Sequence, residues 1–190
     1  MSNNYFESKL FDKVDFSLNP LPKGEYENCR FVHCIMANTD LSNIVFQNCE
    51  FIDCNMSNAN IKNSAFRDIK FKDCKLLGLH FENCHAFLFS VDFDHCFLNL
   101  SSFYKLSIKK TRFIHCSLQE VDFSESDLSL SVFEHCDFFR AIFDRTNLEK
   151  ANLSSSYHYS IDPENNRLKK AKFSSAGLAG LLDKYGLDIQ

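Results

Sequence analysis

From Tyr26 onward an apolar residue returns at every fifth position, a spacing that neither the 3.6-residue period of an α-helix nor the two-residue period of a strand produces over such a length. The centres read Tyr26, Phe31, Met36, Leu41, Phe46, Phe51, Met56, Ile61, Phe66, Phe71, Leu76 and Phe81. After a two-residue slip they resume from Leu88 as Phe93, Leu98, Phe103, Ile108, Phe113, Leu118, Phe123, Leu128, Phe133, Phe138, Phe143, Leu148 and Leu153. Two residues before each centre stands a compact side chain, such as Ala59, Ser64, Ser101, Thr111, Ser126, Ala141, Thr146 or a cysteine. Two inward positions in every five fit a chain that turns a corner every five residues.

A longer period fixes how many corners close one turn. Phe31, Phe51, Phe71, Phe93, Phe113 and Phe133 form one column, and Cys34, Cys54, Cys74, Cys96, Cys116 and Cys136 form its neighbour. Both step by 20, 20, 22, 20 and 20 residues. Four fives make one coil, and side chains twenty apart stack at the 4.7–4.9 Å spacing of neighbouring strands. The sequence therefore predicts an all-β solenoid, a right-handed quadrilateral β-helix of about seven coils. The slip at 84–90 enters as an insertion that leaves the coil count intact.

The open ends of such a column are unpaired strand edges that need covering. Phe6, Phe11 and Phe16 keep the five-residue phase but Pro20 and Pro22 interrupt it, so residues 1–23 read as an irregular cap or a first coil. The β-helix proper is assigned to 24–156, and 157–190 to a C-terminal cap and dimerisation module. There Ser174 or Ser175 is positioned to N-cap a short helix with Leu178, Leu181, Leu182 and Tyr185 on one face and Gly186 as its C-cap. The apolar face of that cap suits a two-fold dimer, the alternative being a monomeric cap.

Composition narrows the function classes. The 190 residues are 45% hydrophobic, enough for one sizeable core, with 21 Phe and no Trp. The N-terminal stretch carries Glu7, Lys9, Asp12, Lys13 and Asp15, leaving no signal-peptide core, and no membrane-length apolar run occurs; a cytoplasmic protein with nine reduced cysteines is expected. His33, His95, His115 and His135 each precede a column cysteine, but neighbouring residues point in opposite directions, so the two cannot converge on one metal ion. His80 and His85 near Cys84 lack the cleft and the orienting group of a nucleophilic site. With no phosphate-binding, dinucleotide or hydrolase motif, neither an enzyme nor a bound cofactor or metal is expected.

Charge is unevenly placed. Between Phe113 and Asp144 seven acids, Glu120, Asp122, Glu125, Asp127, Glu134, Asp137 and Asp144, stand against one base, Arg140. Basic clusters precede it (Lys105, Lys109, Lys110, Arg112) and follow it (Arg167, Lys169, Lys170, Lys172). The acidic belt reads either as a partner-binding surface or as ordinary solvation of a rod. At the slip, Phe87, Phe89 and Phe97 read as a contact patch or as a kink packing its own aromatics.

The units Ala59-Asn60-Ile61, Val121-Asp122-Phe123, Ser126-Asp127-Leu128 and Ala151-Asn152-Leu153 resemble those of pentapeptide-repeat proteins. Cys74-Lys75-Leu76-Leu77-Gly78 and the tail from Ile161-Asp162-Pro163 to Leu181-Leu182 resemble, more narrowly, the Qnr quinolone-resistance proteins and the microcin B17 and albicidin immunity proteins. That resemblance implies a homodimeric rod joined through its C-terminal modules, binding DNA gyrase or topoisomerase IV as a DNA mimic, with the acidic belt as contact surface and no nucleic acid bound directly. A dimer on the order of 70 Å matches about 20 base pairs, yet such a duplex carries on the order of 40 phosphate charges. Two subunits of formal charge −4 fall far short of that, so mimicry must rest on shape and on local acids.

Overall fold

A computed structural model describes residues 4–188. Among them eleven short strands form: β1 (Asn4–Glu7), β2 (Leu10–Asp12), β3 (Gly24–Glu27), β4 (Arg30–Val32), β5 (Val45–Gln47), β6 (Glu50–Ile52), β7 (Ala65–Arg67), β8 (Ile69–Lys72), β9 (Val91–Asp94), β10 (Arg112–Ile114) and β11 (Val132–Glu134). Each pairs in parallel with a strand of a neighbouring coil. Two faces carry sheets, one ordered β1-β3-β5-β7 and one ordered β11-β10-β9-β8-β6-β4-β2. The other faces are joined by single bridges twenty residues apart, such as Ile35↔Asn55 and Asp40↔Asn60.

We number the faces in chain order. The first carries the Phe31 column, the second begins with Phe16 and Met36, the third with Leu41 and Ile61, and the fourth with Phe6, Tyr26 and Phe46. The quadrilateral β-solenoid expected from the period of twenty is the fold. Phe31, Phe51, Phe71, Phe93, Phe113 and Phe133 stack with ring centroids 4.7, 5.1, 5.4, 5.0 and 4.9 Å apart, the widest step falling at the slip. Rings of adjoining faces meet edge-on, as Phe31 and Phe46 do at 5.9 Å, so each layer combines offset stacking with T-shaped contact.

The compact inward positions carry chemistry that the period alone does not reveal. Many of the hydroxyls and thiols there donate to a carbonyl of the coil before, 23 residues back: Cys74 Sγ to Phe51 O at 3.3 Å, Ser64 Oγ to Leu41 O at 2.6 Å, Thr146 Oγ1 to Phe123 O at 2.8 Å, whereas Ser126 Oγ donates to Phe123 O of its own coil. A small donor fits the space beside the large centre and satisfies an oxygen that faces the interior.

At the N-terminus Phe6 stacks on Tyr26 at 4.6 Å and Phe11 on Phe31 at 4.8 Å, so the column continues through β1 and β2. Leu21 is buried between Pro20 and Pro22, and the Tyr26 hydroxyl donates to Pro22 O. The slip is a bulge on the fourth face. A 3₁₀ turn, Phe81–Asn83, leads into it, His85 N and Ser90 N donate to Ser64 O and Phe66 O, and Phe89 fills the core against Phe66 and Phe81.

The C-terminal cap differs from the single amphipathic helix expected. Residues Leu178–Leu181 and Asp183–Tyr185 form two 3₁₀ segments, the second ended by Gly186 in the left-handed conformation. Gly177 and Gly180 lower the α-helical propensity of so short a segment. Gly180 is also needed for close approach, because its carbonyl accepts from Ile161 N and an added Cβ would run into Tyr159 O. Lys184 ties the second segment back to Asp162 at 2.7 Å and Glu164 at 2.6 Å.

Candidate partner-binding surfaces

Among the described residues the interior polar groups are thiols, hydroxyls and one amide. All nine cysteines are buried and free, and the other buried polar side chains are hydroxyls and the Asn166 amide. Burial pushes the Cys49 thiol up to about 12 and raises Cys96 and Cys116 as well. The Cys34, Cys54, Cys74, Cys96, Cys116 and Cys136 column is thus packing, with Sγ atoms directed at carbonyls. The histidines point outward as the alternation requires: His95, His115 and His135 stack at 4.7 and 5.0 Å on the corner between the first and second faces. No cluster able to hold a metal ion occurs among the described residues, and no helix among them is long and apolar enough to cross a membrane.

On the upper first face Arg30, Glu50 and Lys70 alternate in sign up the coils, Glu50 lying 3.2 Å from Arg30 and 3.9 Å from Lys70; beyond them Asp92 accepts from the backbone N–H of Arg112 at 2.8 Å, and the Arg112 guanidinium has no ion pair among the described residues.

The seven acids of the belt, contiguous in sequence, are dispersed around the girth. Asp122 and Asp144 lie on the third face, Asp127 on the fourth, Glu134 on the first and Asp137 on the second, with Glu120 and Glu125 at corners on either side of the third. Four are paired: Glu125 with Arg145 at 3.0 Å and Lys105 at 3.6 Å, Asp127 with Lys109 at 3.2 Å, Asp137 with His158 at 2.8 Å, and Asp144 with Arg145 at 3.0 Å. Burial raises the Asp127 and Asp137 carboxyls, but bonds from Ser129, Lys109 and Asn147 to the first, and from Gln119 and His158 to the second, outweigh it and hold both below the usual range. Asp144 is lowered by Asn165 and Arg145. Glu120, Asp122 and Glu134 have no ion pair among the described residues; Asp122 instead accepts from Ser124 N, closing its corner.

Exposed apolar side chains are scattered along the rod, Leu18, Ile35, Leu100, Phe139 and Ile142 among them, and the groups singled out by the sequence lie in three separate places. Leu178, Leu182 and Tyr185 stand out at the C-terminal tip, 48%, 37% and 54% exposed, while Leu181 packs against the core. Phe87 and Leu88 project from the bulge on the fourth face; Phe89, not the Leu88 expected from the phase, is the buried centre there, because Leu88 takes the left-handed corner conformation. Phe97 lies on the second face, bridged to Lys75 and Ser117, so Phe87, Phe89 and Phe97 do not make one patch.

The coil also unites what the sequence separates. Lys110, Lys150 and Lys170 share one corner with Leu130, all with positive φ, and bring the two basic clusters, Lys105 excepted, onto a single ridge. Lys150 belongs to neither cluster in sequence; applying the period of twenty to charged residues, as to Phe and Cys, would have found it.

Residues 25–87 match the family model described as pentapeptide repeat region, and residues 116–154 match pentapeptide repeats (8 copies). No curated protein matches the sequence. Among solved structures, trypsin-treated QnrB1, a plasmid-mediated fluoroquinolone resistance protein, aligns over 98% of this chain and 92% of its own with 18% identity and a TM-score of 0.62. Full-length QnrB1 aligns over 97% and 100% with 18% identity and a TM-score of 0.57. At that identity the likeness is one of fold.

Proposed function

Since the chain belongs to the pentapeptide-repeat family, whose coils supply a surface rather than a reaction, we propose that it is a non-enzymatic DNA-mimicking rod that binds DNA gyrase or topoisomerase IV and protects it from topoisomerase poisons. One observation carries this reading: a filled solenoid occupies most of the described residues and ends in an exposed apolar tip. Two such rods joined tip to tip through Leu178, Leu182 and Tyr185 would present a straight body of about 70 Å, the span of a DNA segment. The alignment with QnrB1 over 98% of the chain supports the same reading, since that protein is described as conferring fluoroquinolone resistance.

The dispersed belt shifts where the contact is sought. Glu120 and Asp122, neighbouring acids without ion pairs on the second-to-third corner and the third face, are better placed to meet a cationic groove than Glu125 or Asp127. A supercoiling assay with purified gyrase, with and without a quinolone, tests the proposal. Inhibition of supercoiling or rescue from the drug at micromolar protein is expected, and the double variant Glu120→Lys/Asp122→Lys should weaken it by tenfold or more. Absence of both effects on gyrase and on topoisomerase IV would sink it.

A second reading is favoured by the pairing of four of the seven acids. In this reading the belt solvates the rod, and the solenoid is a scaffold for a different protein. It predicts a folded protein without effect on either topoisomerase.

A further inference from the structure

The corner between the fourth and first faces, in the C-terminal half, concentrates charge of the sign opposite to the chain's net −4. Segments 107–112, 127–132, 147–152 and 167–172 lie one above another there, joined by bridges from Ser107 through Asp127 and Asn147 to Arg167, and from Val132 through Asn152 to Lys172. Of their charged residues, Lys109 is matched by Asp127 at 3.2 Å and Arg167 by Glu149 at 2.8 Å. Six cations are left over, Lys110, Arg112, Lys150, Lys169, Lys170 and Lys172, all exposed and none in an ion pair among the described residues. Lys110, Lys150 and Lys170 stand on the corner itself, spanning three coil steps, about 14 Å.

We propose that this ridge is a binding site for the phosphate backbone of duplex DNA. The surface has the composition of a nucleic-acid contact rather than of a protein interface. It is rich in lysine, which protein interfaces deplete, and it lacks the aromatic anchors on which their affinity concentrates, offering only Leu130 among its cations. The net negative charge does not oppose this, because the Debye length of about 8 Å at physiological salt confines the field felt by a phosphate to its side of the rod. Contact is sequence-independent, since the lysines on a convex edge reach phosphates and not base edges. The proposal stands apart from the topoisomerase reading, and its test contains no enzyme.

Anisotropy of a fluorescent mixed-sequence duplex of about 25 base pairs, titrated with the full-length protein between about 50 and 200 mM salt, reads the site directly. Micromolar binding is expected at the lower salt, weakening about a hundredfold across the range if four phosphates are contacted. Lys110→Glu/Lys150→Glu/Lys170→Glu should abolish binding. Glu120 and Glu125 already occupy the equivalent corner conformation, at φ 57 and 56, so the backbone accepts this residue there. An unchanged circular-dichroism spectrum confirms folding, and three reversals placed elsewhere, at Lys13, Lys62 and Lys75, should leave most of the affinity. No binding at 50 mM salt, or loss of affinity equal for the two triple variants, overturns the proposal. Capture of a poly-glutamate peptide as tight as that of the duplex also overturns it and marks the ridge as a seat for an acidic protein.

Discussion

At the compact inward position a side chain must be small enough to sit beside a phenyl ring, and it gains from being able to donate to the coil before; Ala59, Ala141 and Ala151 meet the first demand alone. Cysteine, serine and threonine meet both demands, which is why Cys136 gives way to Ser156 in the same column with the same bond, to Phe133 O at 3.0 Å. Thiols held this way are chemically quiet. With a thiol pushed up to about 12, the thiolate fraction of Cys49 at pH 8 is lower than that of a free cysteine by roughly a thousandfold or more. Native protein is therefore expected to react negligibly with Ellman's reagent on the time scale of minutes, and all nine thiols to react at once in denaturant. A rapid stoichiometric burst from the native state would mean that the column opens, or that a thiol is poised for reaction.

At the scale of the coil the corners decide how well the repeat is built. Nearly every corner holds a residue with φ between 50 and 65°. In the N-terminal half these are mostly Asn and Asp, including Asn38, Asn43, Asn48 and Asn58, residues that tolerate the left-handed region. The C-terminal half places Leu100, Leu130, Arg140 and Lys150 in the same conformation, where a longer side chain is less favourable by about 1 kcal/mol. Leu100→Asn and Leu130→Asn should each stabilise the protein by about 0.5–1 kcal/mol, raising Tm by roughly 1–4 °C in a thermal melt. Both leucines are exposed, so little packing is lost. A fall in Tm would show that these side chains support the rod from outside.

For the whole molecule, the distribution of charge around the rod matters more than its sum. The belt acids spread over four faces and four of the seven are paired, six cations without ion pairs gather along one corner of the C-terminal half, and the tip and the bulge each expose apolar side chains. Each surface suits a different partner, as expected of a fold whose interior is fully committed to packing. The tip makes the clearest prediction. Leu178→Ser/Leu182→Ser/Tyr185→Ser removes exposed apolar surface while sparing Leu181, which touches the core. Light scattering should show the protein as a dimer and the variant as a folded monomer; equal masses for the two would remove the tip-to-tip arrangement on which the 70 Å body depends.

The sequence by itself determined the periodic part. Five-residue spacing and the twenty-residue Phe and Cys columns defined the coil, its register and the place of the slip, because each buried layer repeats the same steric problem and selects the same residues. Surface relationships escaped it, since neighbours on the rod are twenty residues apart along the chain. Thus seven acids contiguous in sequence are scattered around the girth, Phe87 and Phe97 lie on different faces, and Lys110, Lys150 and Lys170 meet. The cap also escaped it: an amphipathic spacing at Leu178, Leu181, Leu182 and Tyr185 is compatible with a helix, whereas the structure forms 3₁₀ turns there with Gly180 packed closely against Tyr159.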